Sequence, residues 1–234
     1  MLTIPQPFGG LVIPRSRVSV PVLTYIGRAT STTESTTITI SDVSIGTASA
    51  DRLVVVSAMC VHNDNGNLTV ITGGSIGGSA ATLVVASNGM DYPALTAILS
   101  RVVTSGTTAT ITINLSVAVQ RTALDVYTIK GLNSTTAHHT NTTWSTNNTS
   151  FLGTTLNIPA NGFAIGGLAA QDEFNVYSHT WSGLTEDADS ASGLSYGGYT
   201  SASGQMMSAE SGRSISVTAN GNSRRKSMCV ASWA

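Results

Sequence analysis

The strictest pattern in the chain is an alternation of apolar and polar residues over Thr108–Val119. Ala, Ile, Leu and Val occupy every odd position from Ala109 onward, and Thr, Asn or Ser fill most positions between them. Because successive side chains of a strand point to opposite faces, the pattern predicts a β-strand with one buried and one solvated face. A strand of this kind needs a second layer to cover its apolar side. We therefore expect a layered β-protein with two packed sheets.

Two other segments refine this expectation. Leu53–Val61 is apolar almost throughout and rich in β-branched residues, which favours a central strand covered on both faces. In residues 36–45 the apolar positions change parity after Ile40, with Ser41 and Asp42 at the change. A β-bulge, or a bend between sheets, would return both sets of apolar residues to the core.

Many further short runs have strand character, and turns rich in Gly and Asn separate them. The runs are residues 18–26, 68–72, 80–86, 121–129, 151–158, 163–170, 175–181, 193–200, 214–219 and 227–233. The predicted turns are Asn65-Gly66, Gly73-Gly74, Gly77-Gly78, Asn88-Gly89, Asn161-Gly162 and Asn220-Gly221. The prediction is an all-β, antiparallel β-sandwich, jelly-roll-like, in a single domain over residues 23–234. Residues 92–103 have two interpretations: Leu95, Ile98 and Leu99 have helical spacing, whereas the β-branched neighbours favour a strand, and the strand is preferred.

Composition limits the classes of function. Ser and Thr make up roughly a quarter of the residues and charged residues only 10%, as suits strands with hydroxyl-covered outer faces. A net charge of −1 provides no field to attract nucleic acid, and no apolar run is long enough for a membrane span. The N-terminus lacks the pattern of a secretory signal, so we expect a protein made in a cytoplasm. Cys60 and Cys229 lie in apolar runs and are predicted to be buried, unpaired thiols.

The first 22 residues are predicted to form an extended arm. Four prolines within residues 1–21 exclude a helix, and apolar side chains accompany them. We expect the arm to dock on a partner, with an edge strand on its own domain or on a neighbouring copy as the alternative. The predicted docking residues are Leu2, Ile4, Pro5, Pro7, Phe8, Leu11, Val12, Ile13, Pro14, Arg15 and Arg17.

Residues 133–150 are polar apart from Trp144 and are predicted to form a long exposed loop. His138, His139 and Trp144 are its candidate recognition residues. The other aromatic candidates for sugar stacking, Trp181, Tyr196 and Tyr199, are better explained as buried sheet residues.

No catalytic residue, metal site or cofactor is predicted from the remaining motifs. The acidic groups Asp172-Glu173 and 186–189 would suit calcium binding or glycoside hydrolysis, although a solvated loop is the simpler interpretation. The basic cluster Arg224-Arg225-Lys226 is interpreted as a solvated turn before the last strand, with an anion contact or an interface salt bridge as the alternative.

Several stretches resemble a group of β-sandwich proteins found in tailed phages, prophages and gene transfer agents. They are TTITISDVSIGTASADRLVVVSAM (36–59), IGGSAATLVVASNG (76–89), SGTTATITINLSVAVQRTALDVYTIKGL (105–132), IPANGFAIGGLAA (158–170) and TWSGLTEDADS (180–190). The resemblance covers most of the chain after about residue 24. It implies a virion structural protein without a shared catalytic motif, used as a head decoration, head spike or tail-fibre part, and a homo-oligomer that is expected to be a trimer.

The expected function is therefore a non-enzymatic capsid decoration or cement protein on the virion surface, assembled in the bacterial host cytoplasm. The major capsid protein or other virion subunits are its expected partners, with no nucleic acid, no membrane and no cofactor. The first alternative is a tail-fibre or spike module in which Trp144 and its polar segment bind a host surface glycan. The second is a polysaccharide hydrolase acting through Asp187 and Asp189.

Overall fold

The computed structural model describes residues 21–62, 69–87, 94–147, 149–171, 178–189, 197–223 and 225–234. All regular elements in these ranges are β-strands, and none is a helix of the length and hydropathy needed to span a membrane. The strands are β1 (Val22–Ser31), β2 (Ser35–Ser44), β3 (Leu53–Val61), β4 (Ile71–Ile76), β5 (Ser79–Ala80), β6 (Thr82–Ser87), β7 (Ala94–Val102), β8 (Thr108–Val119), β9 (Arg121–Lys130), β10 (His139–Ser145), β11 (Thr149–Ile158), β12 (Gly162–Gln171), β13 (His179–Ser182), β14 (Thr185–Asp189), β15 (Gly197–Met206), β16 (Glu210–Ser223) and β17 (Arg225–Trp233).

These strands form four antiparallel sheets that stack in layers. The first outer sheet has the order β2-β8-β4-β5, and the first inner sheet has the order β1-β9-β3-β7-β6. The second inner sheet has the order β10-β17-β12-β15-β14, and the second outer sheet has the order β11-β16-β13. We call the first outer and first inner sheets the first sandwich, and the remaining two the second sandwich. The predicted all-β, antiparallel sandwich fold is confirmed.

Three apolar layers hold the stack together. One core lies between the sheets of the first sandwich and includes Ile38, Val56 and Ile113. A second lies between the sheets of the second sandwich and includes Leu156 and Ile215. The third lies between the two inner sheets. The expectation of two packed sheets is therefore wrong in number, because both faces of each inner sheet are apolar and each face requires its own cover.

The second sandwich repeats the strand order of the first. The series β1, β9, β3, β7, β6 corresponds in chain order to β10, β17, β12, β15, β14, and β2, β8, β4 correspond to β11, β16, β13. The inner sheets face each other with these orders reversed, so that β3 crosses β12, β1 lies near β14, and β6 lies near β10. Each inner sheet thus presents the corresponding strands to the other sheet in reverse order.

The close approach of the inner sheets depends on glycines in the middle of β12. A Cβ atom on Gly167 would lie 2.0 Å from Ser57 Oγ, on the side of the first sandwich. On the other side of the strand, a Cβ on Gly166 would lie 2.9 Å from the ring of Trp181. Small residues at both positions let β12 pack tightly against the layers above and below it.

Several sequence predictions hold at the level of single residues. Residues 53–61 are buried without exception, as expected of a strand covered on both faces. In β8 the side chains of Ile111, Ile113 and Val119 are fully buried, whereas Val117 is half-buried. The parity change in β2 is a β-bulge between Ile40 and Val43, at which Asp42 adopts a φ of 56°.

Residues 94–102 form a strand, which confirms the preferred reading of that segment. Seven of its nine residues, from Ala94 to Ser100, are buried, because β7 is covered on both faces and therefore shows no alternation.

Three other predictions are wrong. Gly73-Gly74 and Asn220-Gly221 are not turns but lie inside β4 and β16. At Gly74 a Cβ would lie 2.2 Å from Thr112 O, so the glycine serves a close backbone contact. Residues 133–150 are not one long loop, because His139–Ser145 forms an edge strand paired with β17. The Asn65-Gly66 and Asn88-Gly89 turns lie outside the described residues.

Candidate functional site

The most elaborate polar site lies between the two inner sheets, at the side where β1 approaches β14. Its centre is Asp125 on β9, whose side chain is fully buried. Arg28, its cross-strand partner on β1, donates from Nε and Nη2 to the two carboxylate oxygens at 2.8 and 2.6 Å. Tyr25 Oη donates to the same carboxylate at 3.2 Å. Arg28 Nη1 also donates to the backbone oxygen of Tyr199, 3.1 Å away on β15, and so joins the two sandwiches.

Two β-bulges direct side chains into this polar site, which we call the seam: the contact between β1 and β9 of the first inner sheet and β14 and β15 of the second. The register of β1 shifts between Tyr25 and Gly27, and that of β14 shifts between Glu186 and Ala188. The second bulge contains Asp187, which accepts a hydrogen bond from Tyr127 Oη on the first inner sheet at 3.1 Å. A bulge bends its strand and redirects one side chain, which brings this carboxylate to the other sandwich.

The two tyrosines of the seam pack against each other, with ring centroids 5.2 Å apart and planes inclined by 54°. Burial, reinforced by the charge of Asp125, raises the pKa of Tyr25, and burial, reinforced by Asp187, raises the pKa of Tyr127. Both phenols therefore stay protonated and act as hydrogen-bond donors. Burial also raises the pKa of Asp187, against the lowering effect of hydrogen bonds from Ser203 and Tyr127.

A pair of carboxylates is the pattern used in glycoside hydrolysis, and Asp125 and Asp187 share one seam. Asp125, however, is fully buried and holds Arg28 through both oxygens. A carboxylate in that position is unsuited to attack or protonate an external sugar. The arrangement instead suits a polar clamp between the sandwiches.

A second clamp joins the inner and outer sheets of the second sandwich. Asp189 on β14 accepts from the backbone N–H of His179 and contacts His179 Nδ1, both at 2.7 Å. Together with Asp187, this pair corrects the prediction that residues 186–189 form a solvated loop. The segment is an edge strand, and two of its carboxylates bind groups on neighbouring sheets. Asp172 and Glu173 lie outside the described residues.

Hydrogen bonds also cross the inner interface away from these clamps. Thr96 Oγ1 lies 3.0 Å from Ser227 Oγ, and the thiol of Cys229 donates to the backbone oxygen of Thr96 at 3.2 Å. Both Cys60 and Cys229 are buried and unpaired, which confirms that prediction.

The structure separates the three predicted recognition residues. His138 is exposed just before β10, and its backbone N–H donates to Ser232 O. His139 is half-buried, and its Nδ1 accepts from the backbone N–H of Asn157 at 3.3 Å, so the ring covers the edge of β11. Trp144, 45% exposed, lies an odd number of residues from His139 on the same strand and thus on its other face.

The aromatic prediction is confirmed where it can be examined. Trp181 and Tyr199 are buried, and only Trp144 of the described candidates is exposed. Tyr196 lies outside the described residues, as do all the predicted docking residues of the arm, from Leu2 to Arg17.

The basic cluster is not a solvated turn. Lys226 is 4% exposed, and its ammonium donates to the backbone oxygens of Asn147 and Thr149 and to Thr149 Oγ1. Arg225 is half-buried and donates to Gln171 Oε1 at 2.8 Å. Arg225 and Lys226 therefore belong to β17. Lys226 holds the β10–β11 turn, and the carbonyls that it contacts compensate the burial of its charge. Arg224 lies outside the described residues.

Sequence reasoning missed Arg28, Asp125 and Tyr127 as members of a site. The one available signal is Asp125 itself, an acidic residue in the otherwise apolar and hydroxyl-bearing run of β9. A carboxylate in a buried strand requires a partner. Its partner lies 97 residues away in the chain, and no local pattern connects the two.

Among the described residues, no three His, Cys, Asp or Glu side chains come together as metal ligands. Neither a known protein family nor a curated protein sequence matches this chain.

Proposed function

We propose that the chain is a non-enzymatic structural protein of a tailed-phage-type virion, specifically a capsid decoration or cement protein attached through residues 1–22. The observation that carries the proposal is the clamped stack of two repeated sandwiches. Its buried charges, such as Arg28 and Asp125, are used to join layers. A stack whose buried charges are paired within the protein suits a passive position on the outside of a particle.

The repeated topology supports the same proposal. We infer that each sandwich is a jelly roll, since eight corresponding strands form two antiparallel sheets in the same order. The stretches that resemble virion proteins fall in both halves, from β2 to β14. Jelly rolls and related sandwiches recur in capsid proteins because closed β-layers are stable and present few unprotected edges.

The proposed attachment fits the position of β1. This strand is an edge of the first inner sheet, and Val22 at its start is 55% exposed. An arm that precedes an exposed edge can extend to a partner without disturbing either core. The proposed partners are the major capsid protein or other virion subunits, in a homo-oligomer, with the protein displayed on the virion surface.

The test compares the full chain with a chain that begins at Val18, each mixed with particles that lack the protein. Co-sedimentation measures attachment and calorimetry measures folding. We expect the shortened chain to melt near the temperature of the full chain and to lose attachment. A shortened chain that still decorates the particles, or a full chain that never does, would contradict the proposal.

A second candidate is a tail-fibre or spike module that binds a host glycan. The observation in its favour is Trp144, which is 45% exposed on an edge strand that contains no Asp, Glu, Lys or Arg. Electron microscopy of labelled particles separates the candidates, since a decoration protein covers the head and a fibre module marks the tail.

A further inference from the structure

The outward face of the second outer sheet contains a flat aromatic ring on an uncharged hydroxyl surface. Phe151 on β11 is 55% exposed, and its cross-strand partner on β16 is Thr218. Thr218 in turn pairs with Thr180 on β13, so that these three side chains form one row across the sheet. The next row consists of Gly153, Ser216 and Ser182.

The phenylalanine ring lies along the sheet over the glycine of the next row. A Cβ on Gly153 would lie 2.9 Å from the tip of the ring, which a side chain at that position would displace. Glycine therefore leaves space for the ring to lie against the backbone. The tip of the ring is thus held over Gly153, while Phe151 as a whole remains 55% exposed.

The surroundings of the ring select the kind of ligand. Apart from Phe151 and the glycines, the outward positions described on these three strands bear hydroxyl or amide groups and no ionisable side chain; they include Thr155, Asn157, Ser214, Ser216, Thr218, Thr180 and Ser182. The nearby charged residues Arg213 and Glu210 bind each other at 2.6 Å, and Arg213 also donates to Gly183 O. An anionic ligand would meet no matching charge on this face.

We propose that this face binds a neutral polysaccharide, with Phe151 as the stacking platform. The apolar C–H face of a pyranose ring covers an aromatic ring, and the sugar hydroxyls exchange hydrogen bonds with the Ser and Thr rows. Within a row, side chains on neighbouring strands are about 4.8 Å apart, which is close to the length of one sugar unit. This spacing favours an extended chain that crosses the strands over a single sugar.

The first outer sheet provides an internal control. Its outward face also carries rows of hydroxyl groups, such as Thr39 and Thr112, whose oxygens lie 3.3 Å apart. No aromatic side chain lies among the outward positions described on its strands. Both outer faces therefore carry rows of hydroxyl groups, but only the face of the second outer sheet carries an aromatic ring among its described residues.

The experiment uses the full chain in affinity electrophoresis through gels containing a neutral glucan, a neutral galactomannan or anionic hyaluronan. Retardation by a neutral polymer is expected, and Phe151→Ala should weaken it by about three- to tenfold. Phe151→Trp should retain it, and Thr39→Ala and Trp144→Ala should leave it unchanged. Near-normal melting of Phe151→Ala, an exposed site, verifies that the fold is intact.

Three results would overturn the inference: no retardation by any neutral polymer, retardation by hyaluronan alone, or equal binding by Phe151→Ala and the unmodified chain. If only Trp144→Ala lost binding, the glycan site would instead be assigned to β10. Because the measurement needs no particles, its outcome is independent of whether the protein decorates a capsid.

Discussion

The two sandwiches share a strand order but stabilise their loops differently. In the first, Arg52 is completely buried between two loops. Its guanidinium donates to five backbone oxygens, those of Ile45, Gly46, Val103, Ser105 and Gly106. In the second, Arg213 is 28% exposed and binds Glu210 and one backbone oxygen, that of Gly183.

This difference shows which features a repeated topology preserves. The strand order and the apolar layers recur in both sandwiches. The charged residues do not recur at corresponding places, because they serve loops whose lengths and paths differ. The first sandwich thus concentrates five carbonyl contacts on one buried cation, whereas in the second the contacts of cations with loops are divided between Arg213 and the buried Lys226.

The largest expected effect tests this difference. Arg52→Met should lower the free energy of unfolding of the first sandwich by about 3 to 5 kcal/mol, because buried carbonyls lose their donors. Arg213→Met should cost less than about 1 kcal/mol, as expected of a partly exposed pair. Calorimetry of both variants measures the two losses. Similar losses would mean that the two sandwiches rely equally on their arginines.

The next prediction concerns what the sandwiches share. Ile113 on β8 and Ile215 on the corresponding β16 are both fully buried. Each change to Ala should cost about 2 to 4 kcal/mol, through lost apolar burial and a remaining cavity. Thr112→Ala, on the outward face, should cost under about 1 kcal/mol. Denaturant titration provides the values, and a much smaller loss at Ile215 would show that the second core is less tightly packed.

The elements that could be predicted are those governed by local periodicity. β8 has the predicted bounds because its alternation is uninterrupted, and the bulge near Asp42 follows from the change of parity in β2. β3 is also correct, since an apolar run of nine residues fits a doubly covered strand.

The number of layers and the polar seam could not be predicted. A strand that is covered on both faces has an apolar run in its sequence, and this run does not show whether the second covering sheet belongs to the same sandwich or to another. Likewise, Arg28 and Asp125 are paired only by the register of β1 against β9. The acidic residues of β14 looked solvated because their partners, Tyr127 and His179, lie on other sheets.

A smaller effect is expected from the pH dependence of Lys226 in the second sandwich. Burial lowers the pKa of this side chain from 10.5 to about 8. Between these values the unfolded chain binds more protons than the folded chain, so stability contributed at this site rises as pH increases from about 8 to about 10.5. The free energy of unfolding of the unmodified chain minus that of Lys226→Met should therefore rise over that range. Between pH 6 and 7.5 it should stay level. A difference independent of pH up to 10.5 would contradict the burial of a charged amine.

The smallest effect is expected for alkylation of the thiols in the intact protein. Burial raises the pKa of both Cys60 and Cys229 to about 12. Neither thiol should react in the native state, because each is covered and protonated near pH 8. Their positions differ, since Cys60 lies in the core of the first sandwich and Cys229 lies between the two inner sheets. If the sandwiches separate before either unfolds, pulse alkylation in rising denaturant should label Cys229 first, as read by mass spectrometry. Simultaneous labelling would mean that the clamps at Arg28 and Asp187 make the two sandwiches one cooperative unit, and earlier labelling of Cys60 would place the weakest layer inside the first sandwich.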